Sequence, residues 1–233
     1  MKPFKKQVII LFGPPGAGKG TQAELLAEKF DLFHFETSGI IEKIIMNANE
    51  KDFIEEQGEK YYFKKEKQLW EEGKLWDPLF VIHFVKEKIK SLFDEEKGIV
   101  FSGSPRTVYE AEELGLLLKE LYGEENIKVF FIEIDPEDTI FRNSHRRICE
   151  LMRHSILYNE ETKELTMCPL DGSKLIRREG LDDPESIKVR LKTYKERTYP
   201  ILDVFKNEGI KVNKINGKQS VSNVYDDISK IIK

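Results

Sequence analysis

Short apolar runs alternate along this chain with longer charged segments whose apolar residues recur at a helical period. The apolar runs predict strands at Val8–Phe12, Ile99–Phe101, Ile127–Ile134 and Ile210–Ile215. The charged segments predict helices at Gly20–Phe30, Pro78–Phe93, Val108–Tyr122, Pro136–Arg147, Pro184–Asn207 and Val221–Ile232. Alternation of this kind is typical of β–α units built around a parallel sheet. We therefore predict an α/β fold of three layers with a mostly parallel sheet in the middle.

Two regions interrupt this alternation. Thr37–Asp77 is long, rich in charge and helical in its pattern, and it lies where a second core strand is expected to follow soon afterwards. Cys149–Arg178 has weak periodicity and contains several turn residues. We interpret both regions as lobes inserted into one core. This interpretation predicts a core of residues 1–36, 78–144 and 184–233, with inserted lobes at residues 37–77 and 145–183.

Composition narrows the class of protein. The 38 basic and 42 acidic residues give a formal net charge of −4, which argues against sequence-independent binding of nucleic acid. Val8–Phe12 is too short for the apolar part of a signal peptide, and no run approaches the roughly 20 apolar residues that span a bilayer. Two cysteines, Cys149 and Cys168, are too few for a disulfide scaffold. We expect a soluble cytoplasmic protein that binds neither nucleic acid nor membrane.

A glycine-rich loop follows the first predicted strand and precedes the first predicted helix. Its residues are Gly13, Pro14, Pro15, Gly16, Ala17, Gly18, Lys19, Gly20 and Thr21. In such a loop the backbone N–H groups turn inward onto phosphate oxygens, the helix N-terminus adds partial positive charge, and the lysine neutralises the β and γ phosphates. The sequence therefore predicts a P-loop that binds a nucleoside triphosphate, most simply ATP.

The hydroxyl of this loop is displaced by one residue. In a general P-loop a serine or threonine directly after the lysine ligates Mg²⁺. Here Gly20 takes that place and the hydroxyl comes from Thr21. We expect direct ligation of the metal by the protein to be weaker than in ordinary P-loop ATPases.

Further motifs follow the loop along the chain. In order, the motifs are GPPGAGKGTQ (Gly13–Gln22), TSG (Thr37–Gly39), GKLW (Gly73–Trp76), GSPRT (Gly103–Thr107), RNSHRR (Arg142–Arg147), PESIKVRL (Pro184–Leu191) and ING (Ile215–Gly217). Together they resemble the adenylate kinases, of the nucleoside monophosphate kinase family, from the loop to the C-terminal part. The resemblance implies reversible phosphoryl transfer between ATP and AMP with Mg²⁺, in a monomer. It also implies that residues 37–77 form a monophosphate-binding lobe and residues 145–183 a lid, and that both close over the substrates.

The resemblance assigns phosphate-binding roles to several cations. Lys19, Arg106, Arg142, Arg146, Arg178 and Arg190 match the family's catalytic set. Phosphoryl transfer needs positioning and stabilisation of charge more than covalent help, which accounts for the number of arginines. Arg106 would hold the acceptor phosphate, whereas Arg142 and Arg146 would cover ATP, with Gln219 as a further ATP contact. Arg178 and Arg190 would bracket the transferring group, and Arg177 stays a rival to Arg178.

The acceptor site departs from the family pattern at two positions. The resemblance places the monophosphate against Ser38, Lys43, Leu75, Trp76, Gly103, Arg106 and Glu110. Lys43 replaces an arginine and lacks its bidentate fork. Glu110 replaces a glutamine that matches the adenine edge, and an ionised carboxylate suits the N1 and N2 donors of guanine better. AMP is the leading acceptor, and GMP is an open alternative. It is also open whether Glu110 contacts the base at all, since its side chain could point to solvent on its helix.

The metal sites also depart from the family. Ile40 and Ser102 stand where the family has carboxylates that organise water around Mg²⁺. Asp135 is either a Walker B carboxylate or, as we prefer, an N-cap for the next helix. In the lid, the positions that bind zinc in many relatives hold Cys149, Met152, Cys168 and Asp171. A thioether is a poor zinc ligand, so a zinc site would need His154 as its fourth ligand, and His145 is a less suitable substitute. A lid that binds no metal is the alternative interpretation.

Two further functions compete with the kinase. A P-loop hydrolase that uses Asp135 would turn over ATP without an acceptor. A degenerate kinase could bind nucleotides as a sensor or partner-binding module, which the lost carboxylates at Ile40 and Ser102 would explain. The retained Lys19 and the five arginines argue against it, because binding alone needs fewer phosphate contacts.

Overall fold

The protein was analysed as a computed structural model that describes residues 6–72, 74–178, 180 and 182–232. The strands are β1 Val8–Phe12, β2 Leu32–Phe35, β3 Phe53–Glu56, β4 Glu59–Tyr62, β5 Gly98–Phe101, β6 Ile127–Glu133, β7 Arg147–Cys149, β8 Ser155–Ile156, β9 Leu175–Ile176 and β10 Val212–Asn216. The α-helices are α1 Lys19–Phe30, α2 Thr37–Asn47, α3 Phe63–Glu71, α4 Pro78–Asp94, α5 Val108–Tyr122, α6 Pro136–Ser144, α7 Pro184–Thr193, α8 Ile201–Asn207 and α9 Val221–Ile232. A short 3-10 helix covers Glu124–Asn126.

The core is a parallel sheet of five strands in the order β10-β6-β1-β5-β2. Alternate residues of β1 enter two different apolar clusters: Val8 and Ile10 pack with α4 and α5, whereas Ile9 packs with α1 and α9. Helices cover both faces, so the strands can be apolar on both sides. The predicted three-layer α/β fold is confirmed.

The sequence prediction missed β2 (Leu32–Phe35), which forms the edge of the sheet beside β5. It follows α1 after a single residue, Asp31, whose φ of 52° ends the helix in the left-handed region. A chain reversal this short leaves no visible loop in the sequence. The strand is also only four residues long, and His34 interrupts its apolar residues, so it carries no continuous apolar signal.

The first insertion is not wholly helical. Between α2 and α3 lies the antiparallel β3–β4 hairpin, which pairs Glu56 with Glu59 beside the turn. Gln57 (φ 52°) and Gly58 (φ 81°) both take positive φ, as a two-residue hairpin turn with matching twist requires. The prediction of helix throughout Thr37–Asp77 was therefore wrong here, because the charged residues hid the two-residue period. Gly73 lies outside the described residues, and the proposed lobe boundaries stay a prediction.

The second insertion is a small antiparallel sheet with β7 between β8 and β9. Its own apolar cluster is limited to Cys149, Ile156 and Cys168, with Leu175 packed against them. So small a core gives little hydrophobic stabilisation. Units of this size are usually stabilised in addition by a disulfide or a bound metal.

The predicted helix Pro184–Asn207 is divided into α7 and α8 by a π-helical segment at Tyr194–Thr198. The N–H of Tyr199 donates to the carbonyl of Tyr194 at 2.7 Å, five residues back. Pro200 follows directly and has no N–H to continue a regular ladder. None of the helices in the described part of the chain is both long enough and apolar enough to cross a bilayer.

Glu66 on α3 is completely buried, and this generates a prediction about stability. Its Oε2 accepts the Asp77 N–H at 2.9 Å, whereas no described residue offers a donor to Oε1. Burial raises the pKa of Glu66, although the Asp77 N–H opposes the shift. Because the folded protein favours the neutral acid, wild-type stability from this group is complete at low pH and declines as pH rises through the folded pKa.

We expect Glu66→Gln to stabilise the protein by about 1 kcal/mol at pH 7 and by less as pH falls toward the unfolded pKa of about 4.3. Urea unfolding at both pH values measures the difference. Glu71→Gln, an exposed change on the same helix, is the matched control. A gain equal at both pH values would contradict the argument.

Candidate active site

The phosphate loop lies between β1 and α1 and needs glycine at three positions. Gly13, Gly16 and Gly18 all have positive φ, at 148°, 82° and 88°. A Cβ on Gly13 would lie 2.4 Å from the Ile132 carbonyl oxygen, and one on Gly16 would lie 2.5 Å from Asn143 Nδ2. The loop is thus pressed against β6 and α6, and its backbone can take only this course.

Lys19 begins α1, and its ammonium group lies inside the loop. Nζ donates to the carbonyl oxygens of Gly13 at 2.8 Å and Pro14 at 2.9 Å. Burial, together with the charges of Arg106, Arg190 and Arg146, lowers the pKa of Lys19 to about 7. The site therefore holds more positive charge than its own carboxylates offset, which is the electrostatic condition for binding phosphate.

Three arginines from the lid region and α7 surround the buried carboxylate of Asp182. Arg178 Nε donates to Asp182 Oδ2 at 2.8 Å, and Arg190 Nη1 lies 3.6 Å from Oδ1. Burial and the neighbouring Arg178 lower the pKa of Arg146 to about 10, and burial with Arg178 and Arg146 does the same for Arg190. Arg178 is half-buried in this group, whereas Arg177 is exposed.

Arg142 and Gln219 are positioned by a different set of contacts. Arg142 on α6 donates through Nη2 to the Gly217 carbonyl at 2.8 Å. Gln219, in the loop after β10, donates to Asp227 Oδ2 at 2.7 Å. Both predicted ATP contacts thus lie near the loop that joins β10 to α9.

Arg106 follows β5 and lies half-buried on the predicted acceptor side. Its Nε donates to the Gly103 carbonyl at 2.7 Å, and its backbone N–H donates to Glu110 Oε2 at 2.8 Å. Burial lowers the pKa of Arg106, and the Glu110 and Glu36 carboxylates oppose that shift. The turn Gly103–Arg106 therefore holds the guanidinium through Nε, and the positive charge of the group can still attract an anionic ligand.

A small cavity lies beside Arg106. Its lining residues are Thr37, Ser38, Leu75, Trp76, Val81, Ser104, Arg106 and Glu110. The indole Nε1 of Trp76 donates to the Glu66 carbonyl at 3.1 Å, which fixes this wall of the cavity. Besides Arg106, four residues that were predicted to bind the acceptor line this cavity: Ser38, Leu75, Trp76 and Glu110. Lys43, which was also predicted, lies exposed on α2.

Glu110 faces this cavity and not the solvent, since the residue is only 4% exposed. The suggestion that it points to solvent was wrong. Thr107 Oγ1 caps α5 by accepting the Glu110 N–H at 3.2 Å, and its hydroxyl donates to Glu110 Oε1 at 3.2 Å. Burial raises the pKa of Glu110, opposed first by the Arg106 N–H. This reciprocal contact resembles a capping box, except that Glu110 accepts the N–H of Arg106 and not that of the N-cap Thr107, and it holds the carboxylate in place.

Ser102, at one of the positions where the family has a carboxylate, makes a hydrogen bond to His34. His34 Nε2 lies 2.8 Å from Ser102 Oγ, and burial is the main reason that the pKa of His34 is lowered. Asp135 stands at the N-cap position of α6, but its side chain makes no capping hydrogen bond and instead pairs with Lys218. The preferred interpretation is therefore correct in placing Asp135 at the N-cap position, and wrong in expecting its side chain to accept a hydrogen bond from the first turn of α6.

The second insertion, the predicted lid, brings together four candidate metal ligands: Cys149, His154, Cys168 and Asp171. Their ligand atoms all lie within 4.8 Å of one another. The N–H of His154 donates to Cys149 Sγ at 3.1 Å, because Arg153 (φ 58°) turns the chain back on itself. Met152 is 63% exposed and takes no part, whereas His145 stacks between Phe141 and Tyr158.

Three distances from His154 match the edges of a tetrahedral zinc site. His154 Nδ1 lies 3.5 Å from Cys149 Sγ, 3.7 Å from Cys168 Sγ and 3.2 Å from Asp171 Oδ2. Zinc bonds of about 2.3 Å to sulfur and about 2.0 Å to nitrogen or oxygen give edges of about 3.6 Å for S···N and S···O and about 3.3 Å for N···O. Cys149 Sγ lies 3.0 Å from Asp171 Oδ2, as a thiol that donates to the carboxylate, so this one edge is shorter than zinc would set it.

Sequence reasoning missed three side chains in this region: His34, Asp182 and Thr198. His34 belongs to the strand that was not predicted. Asp182 could have been suspected, since it precedes the N-cap Asp183 and lies among predicted arginines. Thr198 carried no sequence signal, because its partner is 92 residues away in the chain.

A phosphate loop after β1, a half-buried lysine at the start of α1 and arginines supplied by the loop after β5, by α6 and by α7 define the class of P-loop proteins that bind nucleotides. Comparison with known proteins identifies the family. The sequence profile of the adenylate kinases matches residues 11–210. Adenylate kinase of Methanothrix thermoacetophila is 34% identical over 225 residues, covering 96% of this chain and 97% of that protein.

Two bacterial relatives agree. Adenylate kinase of Oceanobacillus iheyensis is 34% identical over 226 residues, and that of Staphylococcus aureus is 35% identical over 227 residues. Each alignment covers 96% of this chain and 98% of the relative. The chain belongs to the adenylate kinase family, whose members are ATP:AMP phosphotransferases.

The depressed pKa of Lys19, about 7, predicts a pH dependence of triphosphate binding. The protonated ammonium attracts phosphate, so a bound triphosphate raises this pKa. We expect ATP affinity, measured by calorimetry without Mg²⁺, to fall as pH rises from 7 to 9. The effect comes from the growing fraction of neutral lysine in the free protein. In Lys19→Arg the cation stays protonated, so whatever its affinity, the decline should be absent; an equal decline in both proteins would contradict this origin.

Proposed function

We propose that this chain carries out the ATP:AMP phosphotransfer of its family through the buried cations that surround its phosphate loop. The reaction is the reversible transfer of the γ-phosphoryl group of ATP to AMP, which gives two ADP. The observation that carries the proposal is the placement of Lys19 inside the phosphate loop, where Nζ donates to the carbonyl oxygens of Gly13 and Pro14. Burial lowers the pKa of this ammonium group most, and the positive charges of Arg106, Arg190 and Arg146 add to that effect. Cations from several parts of the chain thus act on one site, which suits the binding of two phosphate chains.

On the donor side, we assign the triphosphate to the loop Gly13–Thr21. Its N–H groups and Lys19 would hold the β and γ phosphates, and Arg142 with Gln219 would lie beside the ATP nucleoside. The contact of Arg142 with Gly217 supports this placement, because it ties α6 to the loop that carries Gln219. In-line transfer then needs an acceptor on the opposite side of the γ-phosphate.

On the acceptor side, we assign the AMP phosphate to Arg106 and the base to the cavity beside it. Ser38, Leu75, Trp76 and Glu110 line that cavity. Arg146, Arg178 and Arg190 would then neutralise the transferring group, with Asp182 holding Arg178 in position. Preorganised donors of this kind act without reorganising during the reaction, which is the main source of catalysis in phosphoryl transfer.

Mg²⁺ would be bound chiefly through the phosphates of ATP. Of the described side chains near this edge of the sheet, the Thr21 hydroxyl and the Glu36 carboxylate have oxygen donors suited to a hydrated Mg²⁺. The Glu36 charge acts on both Arg106 and His34, so it lies near the acceptor phosphate site. The ion would neutralise charge on the β and γ phosphates.

In the lid, we propose a structural zinc held by Cys149, His154, Cys168 and Asp171. The ligand atoms lie within 4.8 Å of one another, which supports the proposal. The apolar core of this region is small, so a bound zinc would stabilise its fold. We also propose that the protein is a cytoplasmic monomer; the two cysteines, which form no disulfide, fit a reducing compartment.

The acceptor is tested in a coupled assay that offers AMP, GMP, CMP or UMP with ATP and Mg²⁺. We expect AMP to be preferred, and Arg106→Ala to lower kcat/KM for AMP by about 10²-fold or more, because it removes a buried phosphate contact. Arg177→Ala, the exposed neighbour of Arg178, should retain wild-type activity. GMP turnover well above AMP, or ATP turnover without an acceptor, would contradict the assignment.

Zinc is tested by metal analysis of protein purified without chelators. We expect about one equivalent in the wild type, and a large loss in His154→Ala because a three-ligand site binds zinc more weakly. Met152→Ala is the matched control and should keep its metal. Chelation should lower the melting temperature of the wild type more than that of His154→Ala. Less than about a tenth of an equivalent after reconstitution with zinc would reject the site.

A further inference from the structure

The backbone of Arg106 is held on both sides of its Cα atom, through the peptide unit before it and the peptide unit after it. Glu110 accepts its N–H at 2.8 Å, as described above. On the other side, the hydroxyl of Thr198 donates to the Arg106 carbonyl oxygen at 2.8 Å. The first contact is local to the start of α5, whereas the second comes from the π-helical segment that follows α7.

The π turn sets the direction of Thr198 relative to Arg190. In a regular α-helix, residues eight apart lie about 80° apart around the axis. One extra residue in a π turn makes the spacing equivalent to about seven α-helical residues, which reduces that angle to about 20°. Arg190 and Thr198 thus lie on nearly one face of a continuous helical segment.

The same segment also acts on Glu110. The positive charge of Arg197, next to Thr198, is among the groups that favour the ionised form of Glu110. At its other end, α7 carries Arg190, whose charge acts on Lys19 and Arg106 through the centre of the site. One helical segment therefore contacts Arg106 through Thr198, and its charges act on Lys19 and Glu110.

We propose that Thr198 is a positioning residue that fixes Arg106 for the acceptor phosphate and ties it to the helix of Arg190. The inference rests on the acceptor role of Arg106 proposed above. Removing the hydroxyl leaves the Arg106 carbonyl without this donor and frees the peptide unit to rotate. A displacement of the guanidinium by a fraction of an ångström weakens a directional phosphate contact, since such contacts depend on exact placement.

Thr198→Val removes the hydroxyl and preserves the shape of the side chain, whereas Thr198→Ser keeps the hydroxyl. We expect Thr198→Val to raise KM for AMP about tenfold with KM for ATP nearly unchanged, and Thr198→Ser to stay within about twofold of the wild type. Thr193→Val makes the same substitution at the end of α7 and should leave both constants unchanged. Melting temperatures identify any general loss of stability, which would not separate AMP from ATP.

A double-mutant cycle with Arg106→Lys tests whether Thr198 acts through Arg106. We expect the effect of Thr198→Val on KM for AMP to shrink in the Arg106→Lys background, because the two residues are coupled. Equal changes in the KM of AMP and ATP, failure of Thr198→Ser to restore AMP binding, or full additivity would overturn the proposal. Absence of AMP phosphorylation by the wild type would contradict the proposed function instead, and calorimetric titration with AMP would then decide the role of Thr198.

Discussion

Partial burial of several cations around one site is the constraint on which the rest of this structure depends. The pKa of Lys19 is lowered to about 7, and the pKa values of Arg146 and Arg190 to about 10, chiefly because burial disfavours the charged forms and in addition because other positive charges act on them. The protein offsets part of this cost with the loop carbonyls around Lys19 and with the buried Asp182. Anionic ligands would compensate this cost further, so the site favours phosphate-rich ligands.

The fold brings these cations together from distant parts of the chain. In a parallel sheet the carboxyl ends of all strands lie along one edge, and the loops after β1 and β5 supply Lys19 and Arg106 there. Arg146 arrives at the end of α6, and Arg190 on α7 completes the group. Packing of Gly13 and Gly16 against β6 and α6 then leaves the phosphate loop no freedom to move away from the arginines.

Local residue patterns accounted for most of the core and for the loop, whereas contacts between distant segments did not. The glycines and Lys19 could be predicted because a P-loop requires them within one short stretch. The β3–β4 hairpin was missed because charged residues on both of its faces hide the period of a strand. The bond from Thr198 to Arg106 depends on a π turn, and a hydrogen-bond shift of one residue leaves no compositional trace.

Glu110 shows how such contacts change a conclusion drawn from chemistry alone. An isolated carboxylate at that position favours the two donors of guanine over adenine. In the fold, however, its oxygens already accept the Arg106 N–H and the Thr107 hydroxyl, and burial shifts its pKa upward. A carboxylate that is satisfied by its own helix start has less need of donors from a base. The substitution is therefore compatible with adenine as the base of the proposed acceptor, and the bond from the Arg106 N–H suits Glu110 to hold the backbone of Arg106.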